Sequence, residues 1–94
     1  MTTVVNSWQV YIVRCADETL YTGIARDVIR RVSEHNHSRL AARYTRARRP
    51  VVLVYCEACD SRSQALRRES AIKKLSRRDK ERLCAQLHAK EQCA

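Results

Sequence analysis

Glycine and proline are almost absent: Gly23 and Pro50 are the only ones in 94 residues. That excludes a collagen-like chain, a low-complexity chain and a β-rich fold with many tight turns. Phenylalanine is missing and aromatics make up 5% of the chain, which argues against recognition of single strands by base stacking. No apolar run approaches the roughly 18 residues of a membrane helix, so no membrane partner is expected. The first seven residues have neither a basic start nor the apolar stretch of a signal peptide, and the expected location is cytoplasmic. Cysteines number five, an odd count that excludes a complete disulfide framework. In a cytoplasmic setting all five are expected as thiols.

The length suits one domain, expected to span residues 1–94 with a core over about 8–84 and short tails. An apolar share of 45% is too high for a disordered chain. The net charge is +9, from 19 Lys and Arg against 10 Asp and Glu. Arginine supplies most of it, and arginine holds a phosphate with a planar two-bond fork. Eight arginines and only two acids, Asp27 and Glu34, fall between Arg26 and Arg49. Such an excess points to an anionic polymer, with nucleic acid the first candidate. The bland alternative is a solvated basic surface.

Residues 8–14 alternate as a strand, residues 15–19 form a polar turn, and residues 20–24 form a second strand. A hairpin pairing Arg14 with Leu20 also pairs Val13 with Tyr21 and Tyr11 with Gly23. Paired residues share a face. Tyr11, Val13, Tyr21 and Gly23 then lie on one side, and Val10, Ile12, Leu20, Thr22 and Ile24 on the other. Asp27 caps a helix over 28–36, with Val28, Ile29 and Val32 inward and Arg31 and His35 one turn apart. Residues 37–50 have no apolar period and read as a long exposed loop with a helical turn at 40–43. The apolar run 51–56 reads as a central strand buried on both faces. Ser61 and Ser76 begin two further helices, to about Leu75 and near His88, the second with Leu83 and Leu87 inward. The expected fold is α/β (α+β), a small three-stranded antiparallel sheet flanked by helices in the order β-β-α-β-α-α.

Glu69 falls inside the apolar arc of its helix, about 40° from Ala65 and about 60° from Leu66 at 100° per residue. A buried carboxylate needs a partner or a metal. The plainer reading is an i,i+4 ion pair with Lys73. Two phenols on one sheet face, beside an arginine helix and an inward glutamate, suggest phosphoryl chemistry. A phenolate can act as a base, arginine can stabilise a pentavalent phosphate, and glutamate can hold a divalent metal.

Tyr11, then Tyr21-Thr22-Gly23, Arg31, His35 and Glu69 in this order resemble the GIY-YIG nuclease superfamily. The run from Tyr44 to Pro50 before a valine-rich strand is similar to its stand-alone, single-domain bacterial branch. So are Ala65-Leu66-Arg67-Arg68-Glu69 and Ile72-Lys73-Lys74-Leu75. The resemblance implies metal-dependent cleavage of a DNA phosphodiester, structure-selective and in repair or recombination. Tyr21 or Tyr11 would activate water, Arg31 would bind the scissile phosphate, His35 would assist, and Glu69 would hold Mg²⁺ or Mn²⁺. Gly23 would leave room opposite Tyr11. Arg26, Arg43, Arg46, Arg48, Arg49 and Lys73 are the expected nucleic-acid contacts. Branched, nicked or single-strand-containing DNA is the favoured partner, and RNA is possible. The alternatives are a non-catalytic nucleic-acid-binding module of the same fold and an RNA- or protein-interaction adaptor. The absence of an asparagine after Glu69 favours the module.

Cys56 and Cys59 form one Cys-x-x-Cys pair, half of a zinc site that Cys84 and His88 could complete. A buried thiol in a core strand is the commoner case.

Overall fold

The computed structural model describes residues 7–86. Its elements are β1 (Trp8–Arg14), β2 (Leu20–Ala25), α1 (Val28–His37), α2 (Arg43–Arg46), β3 (Val52–Cys59), α3 (Arg62–Lys73) and α4 (Arg77–Cys84). This is the expected α/β order with one short helix inside the long loop. That helix forms at Arg43–Arg46, not at Leu40–Arg43, and Leu40 is left exposed. The proposed last-helix residues Leu87 and His88 lie outside the described residues.

The hairpin has the expected register: Arg14 faces Leu20, Val13 faces Tyr21 and Tyr11 faces Gly23. Its turn closes through the Cys15 N–H on the Thr19 carbonyl, and Asp17 accepts from both the backbone N–H and the hydroxyl of Thr19. These bonds satisfy the turn locally, so the alternation of the strands sets the pairing without a slip.

The sheet order is β2-β1-β3. β1 is therefore the central strand and β3 an edge, contrary to the expectation from its unbroken apolar run. Its pairing with β1 shifts between Ile12 and Val13, which face Tyr55 and Leu53. The extra residue is Val54. The bulge turns Val54 and Tyr55 toward the same side, and Val52 at the strand's start is exposed. An apolar run thus serves a bulged edge as well as it would a buried centre.

Each sheet face carries its own core. Val10, Ile12 and Tyr55 pack with Ala65, Ile72 and Cys84 of α3 and α4. Tyr11, Val13 and Cys56 pack with Cys15, Val28 and Val51. Asp27 accepts from the Arg30 N–H and starts α1, while Ser61 and Ser76 cap α3 and α4 through Gln64 and Asp79. Ile29 and Leu66, both expected inward, are exposed. The far end of α1 is tied to the residue before β3 by the Asn36 amide, which donates to the Val51 carbonyl and accepts from the Val51 N–H. No helix among the described residues is long and apolar enough to cross a membrane.

Cys56 and Cys59 sit three apart on a strand and so point to opposite faces, each into a different core. They cannot share a metal, and no group of three metal-ligating side chains occurs among the described residues. Cys15, Cys59 and Cys84 are buried free thiols. Cys56 is fully buried.

Candidate active site

The tyrosine face of the hairpin is covered by α1, and its side chains form a hydrogen-bonded cluster. Tyr11 is 1% exposed, although two phenols and a glycine make an unusual core. Space for it comes from Gly23 directly across the ladder. A Cβ at Gly23 would stand 2.6 Å from the Tyr11 hydroxyl and 2.8 Å from its Cζ. Only a residue without a side chain lets the phenol lie over β2.

The Tyr11 hydroxyl lies 2.7 Å from His35 Nε2. His35, from α1, is 0% exposed. Its other ring nitrogen, Nδ1, lies 2.7 Å from the hydroxyl of Thr45 in α2. Burial, and then the nearby Arg31 charge, push the His35 pKa down to about 4. The ring is therefore neutral at neutral pH. Burial, and then Tyr21, push the Tyr11 pKa up to about 12, while Arg31 acts to lower it. Tyr21 packs its ring edge-to-face against His35 at 5.5 Å and stacks with Tyr44 at 5.9 Å.

Arg31 sits on the same face of α1 as His35, close enough to act on the Tyr11 phenol. One of its nitrogens donates to Glu34 at 2.9 Å and to the Leu40 carbonyl at 2.8 Å. Its ion-pair partner is thus Glu34. Glu69, on α3, enters the same electrostatic neighbourhood, since its charge also acts on Tyr11. α3 contacts both β1 and the edge strand β2. The Glu69 side chain is 18% exposed and pairs with Lys73 at 3.3 Å. The i,i+4 pair is present, and the carboxylate is half-buried as well.

One half-buried carboxylate suits a hydrated Mg²⁺ or Mn²⁺, which keeps most of its ligands as water. It does not suit zinc, which wants three or four protein ligands. Tyr11, Tyr21, Arg31 and His35 thus cluster on the face covered by α1, whereas Glu69 comes from α3, which packs on the other face, and is linked to them through the effect of its charge on Tyr11.

The basic residues divide into two sets. Arg48 is held by Asp17 at 3.0 Å and lies 3.9 Å over the Tyr44 ring. Arg49 turns inward and donates to the carbonyls of His35 and Ser38. Arg43 and Arg46 are exposed, and with Tyr44, Ala47 and Arg48 they line an open cleft of about 630 Å³. Arg26 stands over Trp8 at 5.2 Å, and Lys73 serves Glu69. The residue that sequence reasoning passed over is Thr45, a polar side chain buried in an otherwise exposed arginine run.

Residues 7–82 match the GIY-YIG catalytic domain family. A UPF0213 protein of Desulfotalea psychrophila is 63% identical over 70 residues, covering 74% of this chain and 64% of that protein. The chain thus spans a little under two thirds of that relative. A UPF0213 protein of Natronomonas pharaonis is 57% identical, covering 81% of this chain and 88% of its own. Among solved structures, the solution NMR structure of a UPF0213 protein from Bacillus halodurans aligns with TM-score 0.52 and 45% identity, over 82% of this chain and 81% of that one. A protein from E. faecalis aligns with TM-score 0.56 and 34% identity, over 87% and 86%.

Proposed function

Because the chain belongs to the GIY-YIG family, whose catalytic domain is that of a nuclease superfamily using divalent metals, we propose that it is a metal-dependent endonuclease cleaving DNA phosphodiester bonds, in repair or recombination. The observation that carries this reading is the Tyr11–His35 hydrogen bond beside Arg31.

Tyr11 is the general base. Its oxygen takes a proton from the attacking water as its own phenol proton passes to His35 Nε2. The incoming hydroxide forms the new P–O bond as the bond to the leaving sugar oxygen breaks, and that oxygen takes up a proton from solvent while His35 later returns its own. His35 is neutral, so Nε2 has a lone pair for that proton, and the negative phosphate bound beside it offsets the burial that otherwise opposes its charging. A phenol near pKa 12 is a weak base alone, so the accepting imidazole matters. Arg31 neutralises charge on the phosphate as it builds. Tyr21 closes over the His35 ring and orients it. Glu69 would hold the divalent cation, which supplies Lewis-acid polarisation of the phosphate when bound.

The basic surface favours shape over sequence. Arg43 and Arg46 can grip phosphates, and the segment that carries them forms only the four-residue α2 rather than a long groove-reading helix. Branched or nicked DNA is the substrate class we favour. The second reading, a binding module that does not cut, is favoured by the Glu69–Lys73 pair, since Lys73 competes for the carboxylate. Cleavage of branched, nicked and linear DNA and of RNA, each with Mg²⁺ or Mn²⁺, separates the two. The nuclease reading expects incision with branched or nicked DNA cut fastest. Tight binding without incision on any of them would establish the module.

A further inference from the structure

Tyr11 and His35 belong to the proposed reaction. Thr45 has no role in that reaction as described, yet it is 0% exposed and bonded to His35 Nδ1 at 2.7 Å. A threonine hydroxyl has one proton to give. The Thr45 oxygen lies 3.1 Å from the Ala42 carbonyl oxygen, which can only accept. The threonine proton therefore goes to Ala42. The opposite arrangement would set two acceptor oxygens against each other in a buried site. Thr45 must then accept from His35, so the histidine proton sits on Nδ1.

A neutral imidazole carries one proton, and with Nδ1 protonated Nε2 is an acceptor. The Tyr11 hydroxyl accordingly donates to Nε2. All three bonds run one way: Tyr11 to His35, His35 to Thr45, Thr45 to the Ala42 carbonyl. In the reversed tautomer Nε2–H would point at the phenol oxygen, and the imidazole could accept nothing from it.

We propose that Thr45 is a positioning residue of the active site, holding His35 in the Nδ1–H tautomer so that Nε2 can accept the Tyr11 phenol proton. The inference rests on the nuclease reading for its consequence but not for its structure. It also gives α2 a purpose. Ala42 is the N-cap residue of α2 and its carbonyl also accepts from the Arg46 N–H, so the short helix presents a fixed acceptor chain to α1. The other groups facing His35 are Arg31, Glu34 and Arg49, which bear on its charge, and the edge-on ring of Tyr21. None of these is a contact to Nδ1, so the tautomer is left to Thr45.

Nitrogen-15 NMR distinguishes a protonated imidazole nitrogen from a bare one, and needs no substrate. At neutral pH the wild type should show His35 protonated at Nδ1 and bare at Nε2. In Thr45→Val, which keeps the volume and loses the hydroxyl, the proton should move wholly or partly to Nε2. Thr45→Ser should restore the wild-type pattern. Cleavage should follow, with kcat falling roughly 100-fold in Thr45→Val, KM little changed, and recovery in Thr45→Ser. A wild-type His35 protonated at Nε2 overturns the inference, whether or not the valine variant folds. So does a folded Thr45→Val protein that keeps the Nδ1–H signature. The expected tautomers without cleavage of any nucleic acid would instead overturn the nuclease reading.

Discussion

At the scale of single residues, the candidate site depends on two features that oppose ordinary core chemistry: a glycine under a phenol and a neutral buried histidine. Gly23→Ala places a methyl inside the Tyr11 hydroxyl's contact distance. The ring must move and lose its bond to His35. The expected result is a loss of about 1–3 kcal/mol in stability, as for other overpacked sites, together with a loss of activity out of proportion to it. Denaturant melts and cleavage assays on the same preparation check both. His35 gives a pH signature. Unfolded, it titrates near pH 6.5, and folded at about 4. Between these values the unfolded chain binds a proton that the folded protein refuses. Its stability contribution is thus complete above about 6.5 and is lost as the pH falls through about 4. His35→Gln should show a flatter stability profile across that window. Identical profiles would mean that the ring is not held neutral. Glu81, depressed to about 2 by its bonds from Arg14 and Arg77, loses its contribution separately, from about pH 4.5 to about pH 2. Much of this residue detail was readable beforehand, since the alternation and turn put Tyr11 opposite Gly23. The Thr45 bond was not, because it joins residues ten apart through a loop without periodicity.

At the scale of elements, caps and alternation were legible and edge position was not. Asp27, Ser61 and Ser76 announce helices because a short oxygen-bearing side chain before a helix satisfies a free N–H. The run from Val51 to Cys56 gave no such local sign, because a bulge and an exposed first residue look the same in sequence as a buried centre. The helical turn lies three residues beyond its expected place for a related reason. Nothing local favours 43–46 over 40–43, and burial of Thr45 against His35 decides it. This assignment changes what the basic segment can do. Arg48 and Arg49 are occupied within the protein, which leaves for phosphate Arg43 and Arg46, the latter held by a long 3.4 Å bond to the Arg39 carbonyl. Each contact adds about 0.9 to the slope of log K against log salt on duplex DNA. Replacing Arg43 and Arg46 by alanine should therefore flatten the slope by about 2. Equilibrium binding across a salt series measures it, and an unchanged slope would mean that nucleic acid does not touch α2.

At the scale of the whole molecule, two cores on opposite faces of three strands hold the site from both sides. α1 delivers Arg31 and His35 to the tyrosine face, while α3, which carries Glu69, packs against β1 and β2 from the other core. A net charge of +9 gives attraction to any polyanion, and binding alone says little about chemistry. What separates a nuclease from a basic binding domain is the dependence of strand cleavage on Glu69 and a divalent cation. The most direct measurement is cleavage of a nicked or branched DNA by wild type and by Glu69→Gln, with Mg²⁺ and with EDTA, beside the binding affinity of each protein. The wild type should cut with Mg²⁺ and stop in EDTA, and Glu69→Gln should bind as tightly and leave the strand whole. Undiminished cutting in EDTA, or by Glu69→Gln with Mg²⁺, would contradict the assignment of the metal and of the reaction.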